Sequence, residues 1–175
     1  MGEVFRETQR FRQPWLWWML IGSVLLLVGL FGWALIQQLV LGKPWGNKPM
    51  SDAALVATAV AVLALEVGVV LFFLLTRMDT VLDDSGLTVR LAPFRTRRIE
   101  FREISSIEAR EYNALREYGG WGIRYGRKGM AYNVSGNKGV QLHLCDGRVI
   151  LIGSQRAEQL AALLNERMQL IQARQ

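Results

Sequence analysis

From Trp15 to Leu41 the chain carries no charged residue, and from Ala53 to Thr76 a second apolar run is broken only by Glu66. No other feature limits the fold as strongly. A helix needs about 20 apolar residues to cross the hydrocarbon core of a bilayer, and both runs reach that length. Backbone groups in lipid must be bonded within their own element, so each run is expected as a helix. The link between them holds Gly42, Pro44, Gly46 and Pro49 as helix breakers, and Ser51 or Asp52 can cap the second helix. The sequence therefore divides into an N-terminal segment (1–14), a transmembrane hairpin (15–76, spans about 15–41 and 53–76) and a C-terminal domain (77–175). The first run is too long for the apolar core of a signal peptide and is followed by no small-residue cleavage site.

Orientation follows from basic residues beside the spans. Arg6, Arg10 and Arg12 precede the first span, Lys43 and Lys48 lie between the two, and Arg77, Arg90, Arg95, Arg97 and Arg98 follow the second. Both termini are expected in the cytoplasm of a multi-pass cell-membrane protein, the bacterial inner membrane being the natural setting. Trp15, Trp17, Trp18 and Trp45 suit the aromatic belts at the two interfaces.

Within the second span, Ala57, Ala61, Ala64 and Gly68 share one helix face; Gly22 and Gly29 do so on the first. Small residues let helices approach closely, so these stripes are the expected packing surfaces of the hairpin. Glu66 then lies about 180° from the stripe, near the middle of the bilayer, at 100° per residue. A carboxylate there needs a proton or a partner. With the stripe packed inward, the expected partner is another membrane protein or a second copy of the chain. Ser23, at similar depth on the first span, is the partner if the hairpin packs the other way.

Charge is segregated along the chain. Of the net +6, residues 1–76 contribute +1 and residues 77–175 contribute +5. The single cysteine, Cys145, allows no internal disulfide, and with the single histidine, His143, it makes no metal-ligand cluster. A thiol protease or a zinc hydrolase cannot be assembled from them. No catalytic residue, metal or cofactor is expected, and the chain reads as a non-enzyme. Asp83 and Asp84 read as turn residues beside Ser85-Gly86, and Gly119-Gly120-Trp121-Gly122 lacks the Gly-Lys-Ser/Thr ending of a phosphate loop. Trp121 is either a core plug or an exposed anchor for a partner.

After Thr76 the apolar period changes to two. Strands are expected around 79–83, 87–91, 96–101, 107–112, 122–125, 130–134, 139–144 and 148–152, with turns at Asp84-Ser85-Gly86, Gly126 to Gly129, and Cys145-Asp146-Gly147. The chain ends in an amphipathic helix with Ser154 as N-cap and Leu160, Leu163, Leu164, Met168 and Ile171 on one stripe. This order of elements, with Leu82-Asp83-Asp84-Ser85-Gly86-Leu87-Thr88-Val89 and Phe101-Arg102-Glu103-Ile104-Ser105-Ser106-Ile107, resembles the pleckstrin-homology (PH) superfold over roughly Arg77 to Leu170. The resemblance is closest to bacterial PH-like domains carried beside transmembrane helices. It implies an antiparallel sandwich or barrel of six or seven strands capped by the C-terminal helix, and it implies no activity. Phosphoinositide specificity is not carried over, because the first hairpin turn is acidic.

The function expected is a membrane-anchored interaction module, a scaffold or accessory subunit of a membrane complex. One alternative is a transporter or enzyme subunit using Glu66; another is an anionic-lipid sensor. For the last, Arg77, Arg95, Arg97, Arg98 and Arg102 are the candidate contacts, each basic residue near an anionic surface contributing about 1 kcal/mol. Nucleic acid is not an expected partner, since charge alone without a recognition motif supports it.

Overall fold

The computed structural model describes residues 3–126 and 128–172. Met1, Gly2, Arg127 and residues 173–175, which include parts of the expected terminal segments and of the turn at 126–129, lie outside the described residues. The chain forms two units, one made of Arg12–Leu74 and the other of the residues on either side of it.

The first unit is a helical hairpin. Helix α1 runs over Pro14–Leu35 and continues through a π-helical turn at Ile36–Val40; helix α2 covers Asp52–Leu75. Pro14 sits in the first turn of α1, where its missing N–H costs nothing. Ser51 caps α2, its Oγ accepting from the Ala54 N–H at 3.3 Å. Both helices are long and apolar enough to cross a membrane. Few of their residues are buried; Trp18 is 74%, Leu25 68% and Leu65 70% exposed, which is not how the core helix of a water-soluble domain behaves. At the far end Gln38 ties the link together: its amide N–H groups donate to Met50 O at 2.8 Å and Asp52 Oδ1 at 2.7 Å.

The second unit is a two-sheet domain with a C-terminal helix. One sheet has the order β1-β2-β3-β4, from Glu3–Arg10, Arg77–Asp83, Gly86–Ala92 and Arg95–Glu100. The other has the order β5-β8-β9-β7-β6, from Ile104–Glu111, Lys138–Leu144, Val149–Gly153, Gly129–Asn133 and Gly122–Gly126. A short helix α3, Ala114–Tyr118, links β5 to β6, and α4, Ala157–Gln172, follows β9. Met78, Leu82, Leu87, Val89, Ile99, Leu142, Leu151 and Ile152 are among the fully buried side chains. Helix α4 packs on β5 and β8 with Leu160 and Leu164 fully buried.

Three features depart from the sequence reading. The segment before the first helix is not a separate piece: β1 pairs antiparallel with β2 from Phe5↔Leu82 to Arg10↔Arg77. The described strands number nine, the eight segments expected from alternation and β1, against the six or seven that the resemblance implies. They are not all antiparallel, because β9 inserts between β8 and β7 and runs parallel to β7 through Met130↔Ile150 to Tyr132↔Ile152. Gly129, at φ +107°, permits that insertion; a Cβ there would lie 2.2 Å from the Val149 carbonyl oxygen.

The N-terminal strand is locked in by a buried carboxylate. Glu7 is 8% exposed and accepts from the Ser154 hydroxyl, from the Gln155 N–H at 2.8 Å and from Gln9 Nε2 at 3.1 Å. Gln9 Nε2 also donates to Gly153 O at 2.9 Å. Ser154 in turn accepts from the Arg156 N–H at 3.0 Å, so one carboxylate organises the chain just before α4. The Arg156 guanidinium lies 4.3 Å above the centre of the Phe5 ring and donates to Arg6 O.

Candidate functional site

In the hairpin, the packing faces are the reverse of those expected from small residues. Leu55, Thr58, Ala59, Val62, Leu63, Glu66, Val69, Val70 and Phe73 form the covered stripe of α2, while Ala57, Ala61, Ala64 and Gly68 are exposed. Gly22 and Gly29 are exposed too, and a Cβ built on Gly22, Gly29 or Gly68 would meet nothing within 4 Å. Glu66 is therefore on the inner face, and the Ser23 hydroxyl lies 2.6 Å from Glu66 Oε1 and 2.9 Å from Leu20 O. The reason is energetic. An unpartnered carboxylate among apolar groups costs several kcal/mol, more than close packing of small residues returns. Ser23→Ala and Glu66→Leu should each weaken the hairpin by about 1 kcal/mol, and the double variant should cost little more than either alone. A thermal-melt cycle on the detergent-solubilised protein measures this; strictly additive losses would separate the two residues.

The basic residues singled out by sequence are divided by the pleat of β4. Arg98 points to the outer face, where it donates to Ser85 Oγ and lies 3.8 Å from Asp83. Asp83 itself accepts from the Ser85 N–H at 2.8 Å and the Gly86 N–H at 3.1 Å. The Ser85 hydrogen bonds, with Arg98 nearby, hold its carboxyl below the usual range. Arg77 pairs with Asp79 at 3.3 Å and Arg102 with Glu100 at 2.6 Å. These three arginines do not gather at one place. Trp121 is half-buried and packs against Tyr112, Ala114, Tyr118, Ala131 and Leu151, the core-plug alternative.

Arg95 and Arg97 share the inner face of β4 with buried Ile99, and they open into a cavity of about 640 Å³. Its other walls bring in Tyr125, Lys128, Met130, Tyr132, Gln141, His143, Arg148 and Ile150. Among the described residues, four cations line it and no carboxylate does. Acids stand behind three of the four: Glu103 is 3.7 Å from Arg97, Glu117 is 3.2 Å from Lys128, and Asp146 is 2.6 Å from Arg148. Lys128 and Arg148 are largely exposed, and such surface pairs exchange partners at little cost. Arg95 makes no ion pair among the described residues.

The cavity wraps around the start of β7 and β9. By register, Met130, Tyr132 and Ile150 lie on the face of the second sheet that also carries buried Leu142; Gln141, His143 and Val149 lie on the other. On the first face, Tyr132 is 1% exposed, and among the described residues neither its hydroxyl nor Arg97 Nε has a hydrogen-bond partner. Burial raises the Tyr132 hydroxyl pKa, with Arg95 and Arg97 opposing that rise.

On the second face a polar chain reaches the cavity wall. Arg110 donates through Nε to Gln141 Oε1 at 2.7 Å and lies 3.0 Å from Glu117. Since Arg110 can only donate, Gln141 must turn its amide NH₂ toward His143 Nε2, 3.0 Å away. That ring nitrogen accepts, and the imidazole proton sits on Nδ1. His143, read from sequence as an ordinary strand residue, thus has a fixed tautomer at a cavity wall. Glu117 also accepts from the Asn113 N–H at 2.8 Å, starting α3.

The Arg110 hydrogen bond, helped by Asn113 and Lys128, lowers the Glu117 pKa from 4.5 to about 2. A depressed carboxyl stabilises the folded state above its unfolded pKa. That contribution is lost as pH falls from about 4.5 to about 2. Glu117→Gln should therefore cost about 1–2 kcal/mol at neutral pH and approach wild type toward the acid end of that window. Parallel melts of the two proteins across that range measure it; a gap independent of pH would separate Glu117 from the titration.

Sequence reasoning found Arg95 and Arg97 through their clustering. It missed Lys128, Tyr132, His143 and Arg148, which come from strands that only the sheet order brings together. Among the described residues, no group of three or more His, Cys, Asp or Glu side chains could hold a metal. No family model matches the sequence. No curated protein matches it at a significant level.

Proposed function

We propose that this chain is a membrane-anchored interaction module of PH-like architecture, a scaffold or accessory subunit that engages its partner through the basic cavity between β4 and β7. The cavity carries the reading: among the described residues, four cations and no carboxylate line a recess of about 640 Å³, within the usual size of small-ligand sites. The two apolar helices serve as the anchor. The segments entering and leaving them, β1 and β2, are neighbours in one sheet, so a spanning hairpin leaves both ends on one side. Basic residues beside the spans favour the cytoplasm for that side, as in a bacterial inner membrane.

Two sheets and a C-terminal helix support the PH-like assignment, while the parallel β7–β9 pair and the N-terminal strand are departures from it. The alternative of a transporter or enzyme subunit using Glu66 is less well supported, because Ser23 within the same hairpin supplies a partner for one oxygen of that carboxylate. In this reading the chain has no chemistry of its own and acts by binding.

The test is affinity purification of the full chain from detergent, with mass spectrometry of the proteins and lipids that accompany it. Arg95→Glu with Lys128→Glu changes two exposed side chains; loss of the Lys128–Glu117 contact costs about 1 kcal/mol, and the melt should stay cooperative. The double variant is expected to lose at least one companion that the wild type retains. Identical companions for both proteins would remove the cavity from the account.

A further inference from the structure

We propose that the inner faces of β4 and β7 form a binding site for the phosphate group of an organic phosphoester, with Arg95, Arg97 and Tyr132 as its donors. The inference rests on the reading of the cavity as the contact point of the module, and it names the chemistry of what enters. Tyr132 is 1% exposed, yet among the described residues its hydroxyl has no hydrogen-bond partner, and Arg97 Nε, from another residue lining the same cavity, is equally without one. Each such buried donor is costly unless something accepts from it. Arg95 adds a third donor group on the same face of β4.

The three donors come from strands of two different sheets that line one cavity. A planar carboxylate offers two oxygens in one plane, whereas a tetrahedral phosphate monoester offers three free oxygens to donors on different sides. Guanidinium groups also match phosphate geometry well. The cavity is much larger than one phosphate. Met130, Ile150 and the ring of Tyr125, 75% exposed, line the remaining space, which suits the organic part of an ester. That ester is either a lipid head group or a soluble phosphorylated compound, and both present the same chemistry to the donors.

The experiment uses the full chain in phosphatidylcholine nanodiscs. Glycerol 3-phosphate is titrated by calorimetry, and in a second arm the melt is compared in nanodiscs with and without phosphatidic acid. Tyr132→Phe removes one hydroxyl, and Arg95→Gln alters an exposed side chain that the fold does not need. Either substitution should weaken glycerol 3-phosphate binding about tenfold, or abolish the rise in melting temperature that phosphatidic acid gives the wild type. A response to glycerol 3-phosphate supports a soluble phosphoester, and a response to phosphatidic acid alone supports a head group. Absence of both, or binding unchanged in both variants, overturns the phosphoester site. If both arms fail while Arg95→Glu with Lys128→Glu still loses a companion on purification, the phosphoester is wrong and the interaction module stands.

Discussion

A protein lacking residues 3–10 should lose the cooperative melt of its β-rich domain, although its two apolar helices remain intact. Strand β1 supplies Phe5, 4% exposed, whose burial contributes about 2–3 kcal/mol. It also supplies Glu7, whose removal strands the Ser154 hydroxyl and the Gln155 N–H at a further cost of about 2–4 kcal/mol. Without β1, the ladder from Phe5↔Leu82 to Arg10↔Arg77 is gone, and β2 becomes a bare sheet edge. Together these losses match the whole net stability of an ordinary small domain, about 5–15 kcal/mol. Near-ultraviolet circular dichroism and limited proteolysis in detergent measure the effect. Glu7→Ala is the milder form, expected to lower the melt by the Glu7 share alone. A truncated protein with an unchanged melt would make β1 an ornament of the domain.

Leu164→Asp should be as damaging from the other end of the chain. Leu164 is fully buried on α4 beside Leu160, against β5 and β8. The substitution removes a buried side chain, worth about 2–5 kcal/mol, and places an unpaired carboxylate where it stood. Asn165→Asp adds the same charge one position along, on the exposed face, and should change stability by less than about 0.5 kcal/mol. Chemical denaturation of both variants gives the comparison. Equal losses would mean that the charge itself, and not the burial of α4, decides the outcome.

Much of this architecture is visible in the chain before any coordinates. The two apolar runs are too long and too free of charge to be anything but helices, and alternation after Thr76 announces strands with turns at their Gly and Asp residues. Strand β1 escaped for a physical reason. Its inward positions are Phe5, Glu7 and Gln9, so the alternation of burial is present but that of hydrophobicity is not. The buried polar pair is explained by Gly153, Ser154 and Gln155, nearly the whole chain away. The helix faces were misread because small residues signal close approach only when nothing stronger competes. The Ser23–Glu66 hydrogen bond competes and turns Ala57, Ala61, Ala64 and Gly68 outward. At the cavity, the strand of β4 was legible, and its pleat sends Arg97 and Arg98 to opposite faces. The parallel insertion of β9, which brings Tyr132 and Arg148 to the same recess, has no local signature.

The anchored hairpin with a domain built from both its flanks is tested most directly by thiol labelling in intact cells. Cys145 is the only cysteine and is exposed in the β-rich domain, so the native chain carries its own probe. A second probe is Asn47→Cys with Cys145→Ser, placed in the link between the helices. The expected result is that a membrane-impermeant reagent labels the Asn47→Cys protein in intact cells, and labels the wild type at Cys145 only after the cells are broken. Labelling of Cys145 in intact cells, with Asn47→Cys protected until lysis, would contradict it.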